Sequence, residues 1–298
     1  MANSESTASG YVLSFDIEEH YRIEAAANIE CSPEMKQDYA NRMERSTRAI
    51  LERLAAANVK ATFYVVGQIA ETHPQLVRDI ADAGHEIGTH SYDHQRVHRF
   101  TPQTFAADLR RSKAVLEQTS GVEVFGYRAP TFSVVRQTAW AIDVIAECGL
   151  IYDSSIFPVR HDRYGIPDAP RTPFIAVGKS SEILELPPAT WRIAGQNLPV
   201  AGGGYFRLFP LMIMKAGLSQ LRRTTKPAMG MTYFHPWEFD GDQPKLPLKA
   251  LSKWRTYVGI RKSFRRLEHL LKRYPFRRAI DIVRELEPQR STLPRFTI

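Results

Sequence analysis

The sequence predicts an α/β fold built mainly on parallel strands. Three observations carry that expectation. Short apolar runs alternate with segments of helical periodicity, two of those segments stop at a glycine (Gly84 and Gly149), and charged clusters follow the apolar runs.

Tyr11 to Phe15 reads as the first strand, and Ser32-Pro33-Glu34 as a helix start, with a candidate N-cap followed by proline. Met35, Tyr39, Met43, Ile50, Leu51 and Leu54 then recur at helical spacing up to Asn58. Ala61 to Val66 is a continuous apolar run, as expected of a strand covered on both faces. Pro74 to Ala83 reads as helix, Glu86–Thr89 as strand, and Thr101 to Thr119 as helix. Glu123–Tyr127 and Leu150–Tyr152 read as strands flanking a helix over Gln137–Cys148. Ile183–Leu186 and Met229–Phe234 are the last expected strands, with a helix over Leu211–Leu221 between them. From Arg261 to Leu286 the pattern is again helical. The expected organisation is a flexible N-terminus (1–10), one large domain (11–244) and a basic helical C-terminal extension (245–298) packed on it.

Composition narrows the class. The chain has 298 residues, 43% hydrophobic and 24% charged, as in a soluble globular protein. No apolar run reaches the roughly 18–20 residues needed to cross a bilayer. MANSESTASG lacks the basic start and apolar centre of a signal peptide, and Cys31 and Cys148 make no disulfide or zinc framework. A cytoplasmic location is therefore expected. From Lys245 onward, fifteen Lys/Arg face four Asp/Glu, a net of +11; subtracted from the overall +8, this leaves −3 for the first 244 residues. Such a tail is expected to be a solvated amphipathic surface or to touch anionic lipid at the inner face of the membrane. Nucleic acid is disfavoured, because basic and aromatic residues are not interleaved. The sequence fixes no oligomeric state.

In α/β folds, active sites form where strand ends and their following loops converge. Asp16 and Glu18 follow the first strand in FDIEEH, and His90 and His94 follow another in HSYDH. Arg128 and Pro130 lie in YRAP, Asp153 in YDSS, and His235 in YFHPWEFD. His90 and His94, spaced i,i+4, would share one side of a helical turn. An HxxxH pair alone is weak, but two histidines and a carboxylate are a recognised catalytic zinc set. Asp16 and Glu18, spaced i,i+2 in extended chain, point to the same side. One can hold a metal while the other takes a proton from water, and His235 can serve as the proton donor. Arg128 can orient a carboxylate through a bidentate pair. Taken singly, His235 could equally be a satisfied core histidine and Arg128 a structural ion pair.

The ordered set FDIE, HSYDH, YRAP, YDSS and FHPWE resembles the polysaccharide deacetylases of carbohydrate esterase family 4, over roughly residues 11–240. AGGGYFRLFP, YFHPWEFD and KWRTYVGI are similar to an exopolysaccharide-locus subgroup with a basic C-terminal extension. The resemblance implies a distorted (β/α)7 barrel of the NodB-homology type that removes N-acetyl groups from amino sugars of a glycan with a divalent metal. Zinc is the first expectation for that metal, with cobalt, manganese or iron as alternatives. By position, Asp16 corresponds to the base, Arg128 to the arginine holding it, His90 and His94 to metal ligands, and His235 to the acid. Asp153 corresponds to an acidic residue tuning that histidine. Many relatives have two adjacent aspartates after the first strand. Here Ile17 intervenes, so Glu18 is the expected third ligand, with consequences for coordination. Tyr127, Pro130, Tyr205 and Trp237 are the expected substrate contacts.

Two alternatives keep the constellation: an allantoinase-like amidohydrolase acting on a small cyclic amide, and a non-catalytic glycan-binding or scaffold protein. A non-haem iron oxygenase also uses two histidines and a carboxylate, but leaves Asp16 and His235 idle. Gly202–Gly204 lacks the Lys-Ser/Thr of a phosphate loop and reads as a tight turn.

Overall fold

The structure, a computed structural model, describes residues 10–298. Apart from Gly10, the segment expected to be a flexible N-terminus lies outside the described residues. β1 (Gly10–Ile17) alternates its side chains between two clusters. Leu13, Phe15 and Ile17 pack into the main core, whereas Val12 joins a second cluster inside the barrel. Ser14 and Asp16 share the side of Val12 and so face the barrel interior.

α1 (Pro33–Ala56) starts where Ser32 Oγ accepts the Met35 N–H at 3.3 Å. β2 (Thr62–Val65), α2 (Gly67–Thr72), α3 (Pro74–Asp82) and β3 (Glu86–Thr89) follow. α4 (Pro102–Ser120) opens with a Thr101/Thr104 capping box and leads to β4 (Gly126–Tyr127), α5 (Ala141–Glu147) and β5 (Tyr152–Asp153). β6 (Phe174–Val177), β7 (Glu182–Glu185) and a hairpin of β8 (Thr190–Ile193) and β9 (Gln196–Pro199) come next. They precede α6 (Gly203–Leu208), α7 (Leu211–Thr224) and β10 (Met229–Phe234). The chain ends with α8 (Ala250–Tyr257), α9 (Ser263–Arg273), β11 (Phe276–Arg277), α10 (Ala279–Leu286) and β12 (Arg295–Thr297).

Seven parallel strands, in the order β10-β1-β2-β3-β4-β5-β7, curl into an incompletely closed barrel. Its seam is bridged by the parallel pairing of Pro188 with Met231. This is the α/β architecture of the sequence expectation, with β6 antiparallel on β7.

The C-terminal extension is helical, as expected, with α8, α9 and α10, and it also carries two short strands. β11 pairs with β1, and β12 pairs with β6, so the extension contributes strands to the sheet. Strands of two and three residues are too short to show a period of two in sequence. α10 seats against the barrel's N-terminal end: Glu86, fully buried, accepts the Ile280 N–H at 2.9 Å and the Thr62 hydroxyl at 2.6 Å. Several of the tail's cations are committed locally, Arg277 to Glu285, Arg278 to Asp281 and Arg290 to Glu287. Among the described residues, no helix is long and apolar enough to cross a membrane.

Candidate active site

Asp16, near the end of β1, is held by Arg128, which follows β4. Arg128 Nη1 donates to Asp16 Oδ1 at 2.6 Å and to Ser14 Oγ at 2.8 Å. Its Nη2 donates to Ser154 Oγ at 3.0 Å, Nε donates to the Ser154 carbonyl at 3.2 Å, and the guanidinium lies over the Tyr64 ring. This arginine is fully buried, and a buried cation must be paired to persist there. Burial lowers its pKa, yet the charge and hydrogen bond of Asp16, together with Tyr64 and Tyr152, raise it overall. Asp16 is thereby fixed as an oriented carboxylate, with Oδ2 facing His235 at 3.9 Å.

Glu18 lies just beyond β1 on the same side as Asp16, while Ile17 anchors the intervening position in the core. Ligand atoms of Glu18, His90 and His94 fall within 4.8 Å of one another. His90 Nδ1 contacts the Arg128 carbonyl at 2.7 Å, which leaves Nε2 free to act as a ligand. His94 Nε2 is buried, makes no hydrogen bond and abuts Glu18 Oε2. Two imidazole nitrogens and one carboxylate oxygen, buried and mutually aimed, fit a divalent ion. Burial would raise the Glu18 pKa, but His94 and His235 hold it well below the usual carboxylate range. Burial pulls His90 down to about 4, the neutral form a ligand needs.

His90 and His94 do not meet across a helical turn, as the i,i+4 spacing suggests. They meet across a tight loop in which Ser91 (φ 67°) and His94 (φ 53°) are left-handed. Asp108 of α4 enforces this loop, accepting the Ser91 hydroxyl at 2.6 Å and the Tyr92 N–H at 3.0 Å. A side chain on another helix therefore supplies what local periodicity could not.

His235, one residue after β10, closes the other side of the site. Its Nε2 is 3.8 Å from Glu18 Oε1, and its Nδ1 is 3.5 Å from Glu238 Oε2. Burial lowers its pKa, but Glu18, Glu238 and Asp16 overcome that and push it up to about 9. Asp153, expected to tune this histidine, is engaged elsewhere. Side by side with Glu185 in register, it is fully buried, and burial raises both carboxyls, Asp153 to about 6. Glu238 holds the position on His235 instead.

Trp237 lines the cavity, but its indole N–H donates to Glu18 Oε1 at 3.1 Å, so it orients that carboxylate. Its ring is stacked between His20, at 4.8 Å, and His235, at 5.2 Å. His20 is thus a buried packing partner, and Glu19 turns away to pair with Arg22. Tyr127 is fully buried in the main core against Phe105, away from the cavity. Pro130 is buried beside Ala129 and Thr131, which line the cavity as Pro130 does not. Tyr205 is set back from the cavity, behind Tyr164. Gly204 lines the cavity, and a Cβ at Gly202 would meet the Tyr233 carbonyl at 1.7 Å, so that glycine is required by close packing.

The cavity holds about 250 Å³ and is walled by Phe132, Tyr164, Tyr233 and Trp237, with Glu24 and Arg163 also lining it. A larger cleft of about 720 Å³ lies between the C-terminal extension and the 240–245 loop, and neither Asp16 nor the Glu18, His90 and His94 group lines it. Sequence reasoning missed Asp108, Glu185, Arg207 and Glu238; the last two stand inside the quoted segments AGGGYFRLFP and YFHPWEFD.

Fold and site together define a NodB-type α/β barrel with a candidate metal cluster between a held carboxylate and a histidine. Residues 37–151 match the family model described as Polysaccharide deacetylase, and residues 154–284 match a domain of unknown function, DUF3473. Over residues 37–151 the chain is thus similar to the polysaccharide deacetylases. It is 32% identical over 98 residues to a peptidoglycan-N-acetylglucosamine deacetylase of Bacillus cereus, covering 33% of this chain and 36% of that protein. It is 35% identical over 107 residues to the peptidoglycan-N-acetylglucosamine deacetylase PgdA of Listeria monocytogenes, covering 33% of this chain and 23% of that one. The chain thus spans about a third or less of the length of these relatives. A Pseudomonas aeruginosa PAO1 structure assigned as a polysaccharide deacetylase superposes with TM-score 0.63 at 14% identity, over 95% of this chain and 92% of that one. PuuE allantoinase superposes with TM-score 0.61 at 15% identity, over 96% and 92%.

Proposed function

We propose that this chain hydrolyses the N-acetyl group of amino sugars in a bacterial polysaccharide or its precursor. The observation that carries this reading is the convergence on one cavity of the Arg128-held Asp16, the Glu18/His90/His94 cluster and His235. Likeness of fold does not separate a deacetylase from an allantoinase, since both superpose equally well. Sequence similarity to N-acetylglucosamine deacetylases favours the former.

Glu18, His90 and His94 would hold the divalent ion, zinc by the donor set, which supplies Lewis acidity toward the acetamide carbonyl and its attacking water. Asp16, fixed by Arg128, takes a proton from that water as it attacks. His235, across the cavity, gives its proton to the departing amine nitrogen, and acetate leaves. Phe132, Tyr164 and Tyr233 exclude bulk water and offer flat faces to a sugar ring.

The test is acetate release from N-acetylated oligosaccharides by the metal-loaded chain, set against hydrolysis of allantoin. Acetate release with no allantoin turnover is expected. Turnover of allantoin alone would overturn the reading.

A further inference from the structure

Resting on His235 as the proton donor, we infer that Arg207 and Glu238 are positioning residues for it. In this arrangement the C-terminal segment, through backbone carbonyls of residues 255–258, locks the donor half of the site. The base, the ligand histidines and Arg128 come from the first part of the chain. The donor comes from the DUF3473 region, to which no role is attached.

The contacts run outward from the histidine. Glu238 Oε2 lies 3.5 Å from His235 Nδ1 and accepts the His235 backbone N–H at 3.3 Å. That Nδ1 is buried and makes no hydrogen bond, and the Glu238 carboxylate is the charged group that faces it, beside the Trp237 ring stacked on the imidazole. Glu238 Oε1 accepts from Arg207 Nε at 3.0 Å, with both side chains buried. Arg207 Nη1 then donates to the carbonyls of Arg255 (3.3 Å), Thr256 and Val258 (3.2 Å).

The return path is equally specific. Arg266 of α9 donates to the carbonyls of Phe206, Arg207 (3.2 Å) and Phe209 (3.1 Å), pinning the end of α6 that carries Arg207. Gly259, at φ 74°, allows the turn beyond Val258 to press on Arg207, where a Cβ would meet the Arg207 carbonyl at 2.5 Å. A surface ion pair would not be capped by three backbone carbonyls from a segment 48 to 51 residues away in sequence. The isolated worth of such a buried pair for stability is small or negative, whereas a functional side chain needs neighbours that lock its geometry.

The test uses the full, metal-loaded chain with two probes, an N-acetylated chitooligosaccharide and 4-nitrophenyl acetate. The amine of the first must be protonated to leave, whereas 4-nitrophenolate departs unaided. Asp16→Asn should lose both reactions, and His235→Ala should lose the first selectively. Glu238→Gln keeps the volume but removes the charge. It should lower kcat on the oligosaccharide by about 10- to 100-fold, part of the 10²–10⁴ that general acid catalysis supplies. KM and metal content should stay within about twofold, and ester hydrolysis within about threefold. Glu238→Asp, which keeps the charge but withdraws it from the ring, should show the same selective loss. Arg207→Lys, unable to bridge Glu238 and three carbonyls, should show it more weakly. Equal effects of Glu238→Gln on both probes, or none on either, beside a selective His235→Ala, would overturn the positioning role. Absence of selectivity in His235→Ala would instead overturn His235 as donor.

Discussion

The Trp237 indole donates to Glu18 Oε1 at 3.1 Å while the other Glu18 oxygen faces His94. One oxygen is thus committed to orientation and the other to the ligand cluster. The longer glutamate, in place of the commoner second aspartate, reaches the cluster with an indole steadying it. Trp237→Phe preserves the ring between His20 and His235 but removes the donor. Metal affinity, measured by chelator competition, should fall about 10- to 100-fold, as for other residues that orient ligands. Unchanged affinity would show that Glu18 needs no such support.

The division of labour between Asp16 and the ligands makes a sharper test. Asp16→Asn should keep metal at wild-type stoichiometry by elemental analysis yet lose acetate release by about 10²- to 10⁴-fold. His90→Ala should lose both metal and activity. A fully active Asp16→Asn under metal-replete conditions would remove Asp16 as the base.

Tyr127 is expected to be silent in catalysis. The side chain is fully buried in the core and its hydroxyl has no hydrogen-bond partner. Tyr127→Phe should leave kcat and KM within about twofold. It should also raise stability by up to about 1 kcal/mol, because an unsatisfied buried hydroxyl is removed. A raised KM would return Tyr127 to the substrate contacts.

Much of this site was legible because strand ends and side-chain parity are legible. FDIE placed Asp16 and Glu18 on one side of β1, and the order of motifs placed His90, His94, Arg128 and His235 at one end of the barrel. Parity failed at β4 and β5, which are two residues long and carry no alternation to read. Tyr127 and Asp153, paired in register, therefore went to a core cluster and to Glu185. The HSYDH loop was illegible for a different reason, since its shape is imposed by Asp108 from another helix. Glu238 and Arg207 were visible as letters, but their joint role depends on contacts spanning 31 to 51 residues.

The Asp153–Glu185 pair ties the barrel's interior to pH. Both carboxyls are fully buried, and burial, the largest cause, raises both; their mutual repulsion raises Glu185 further. In the unfolded chain each would titrate near 4. Between about pH 4 and the folded values, the native state therefore holds more protons than the unfolded one, so stability falls as pH rises. The pair's contribution is fully present below about pH 4 and is lost as pH passes about 6 for Asp153, and higher for Glu185. Asp153→Asn keeps the shape, can donate to Glu185 and removes one titrating group. Urea unfolding at about pH 4.5 and 7.5 should show a decline in the wild type that is smaller in the variant by about 1–3 kcal/mol, one to two pKa shifts of ~1.4 kcal/mol each. Parallel declines in the two proteins would mean that the pair ionises freely and shares no proton.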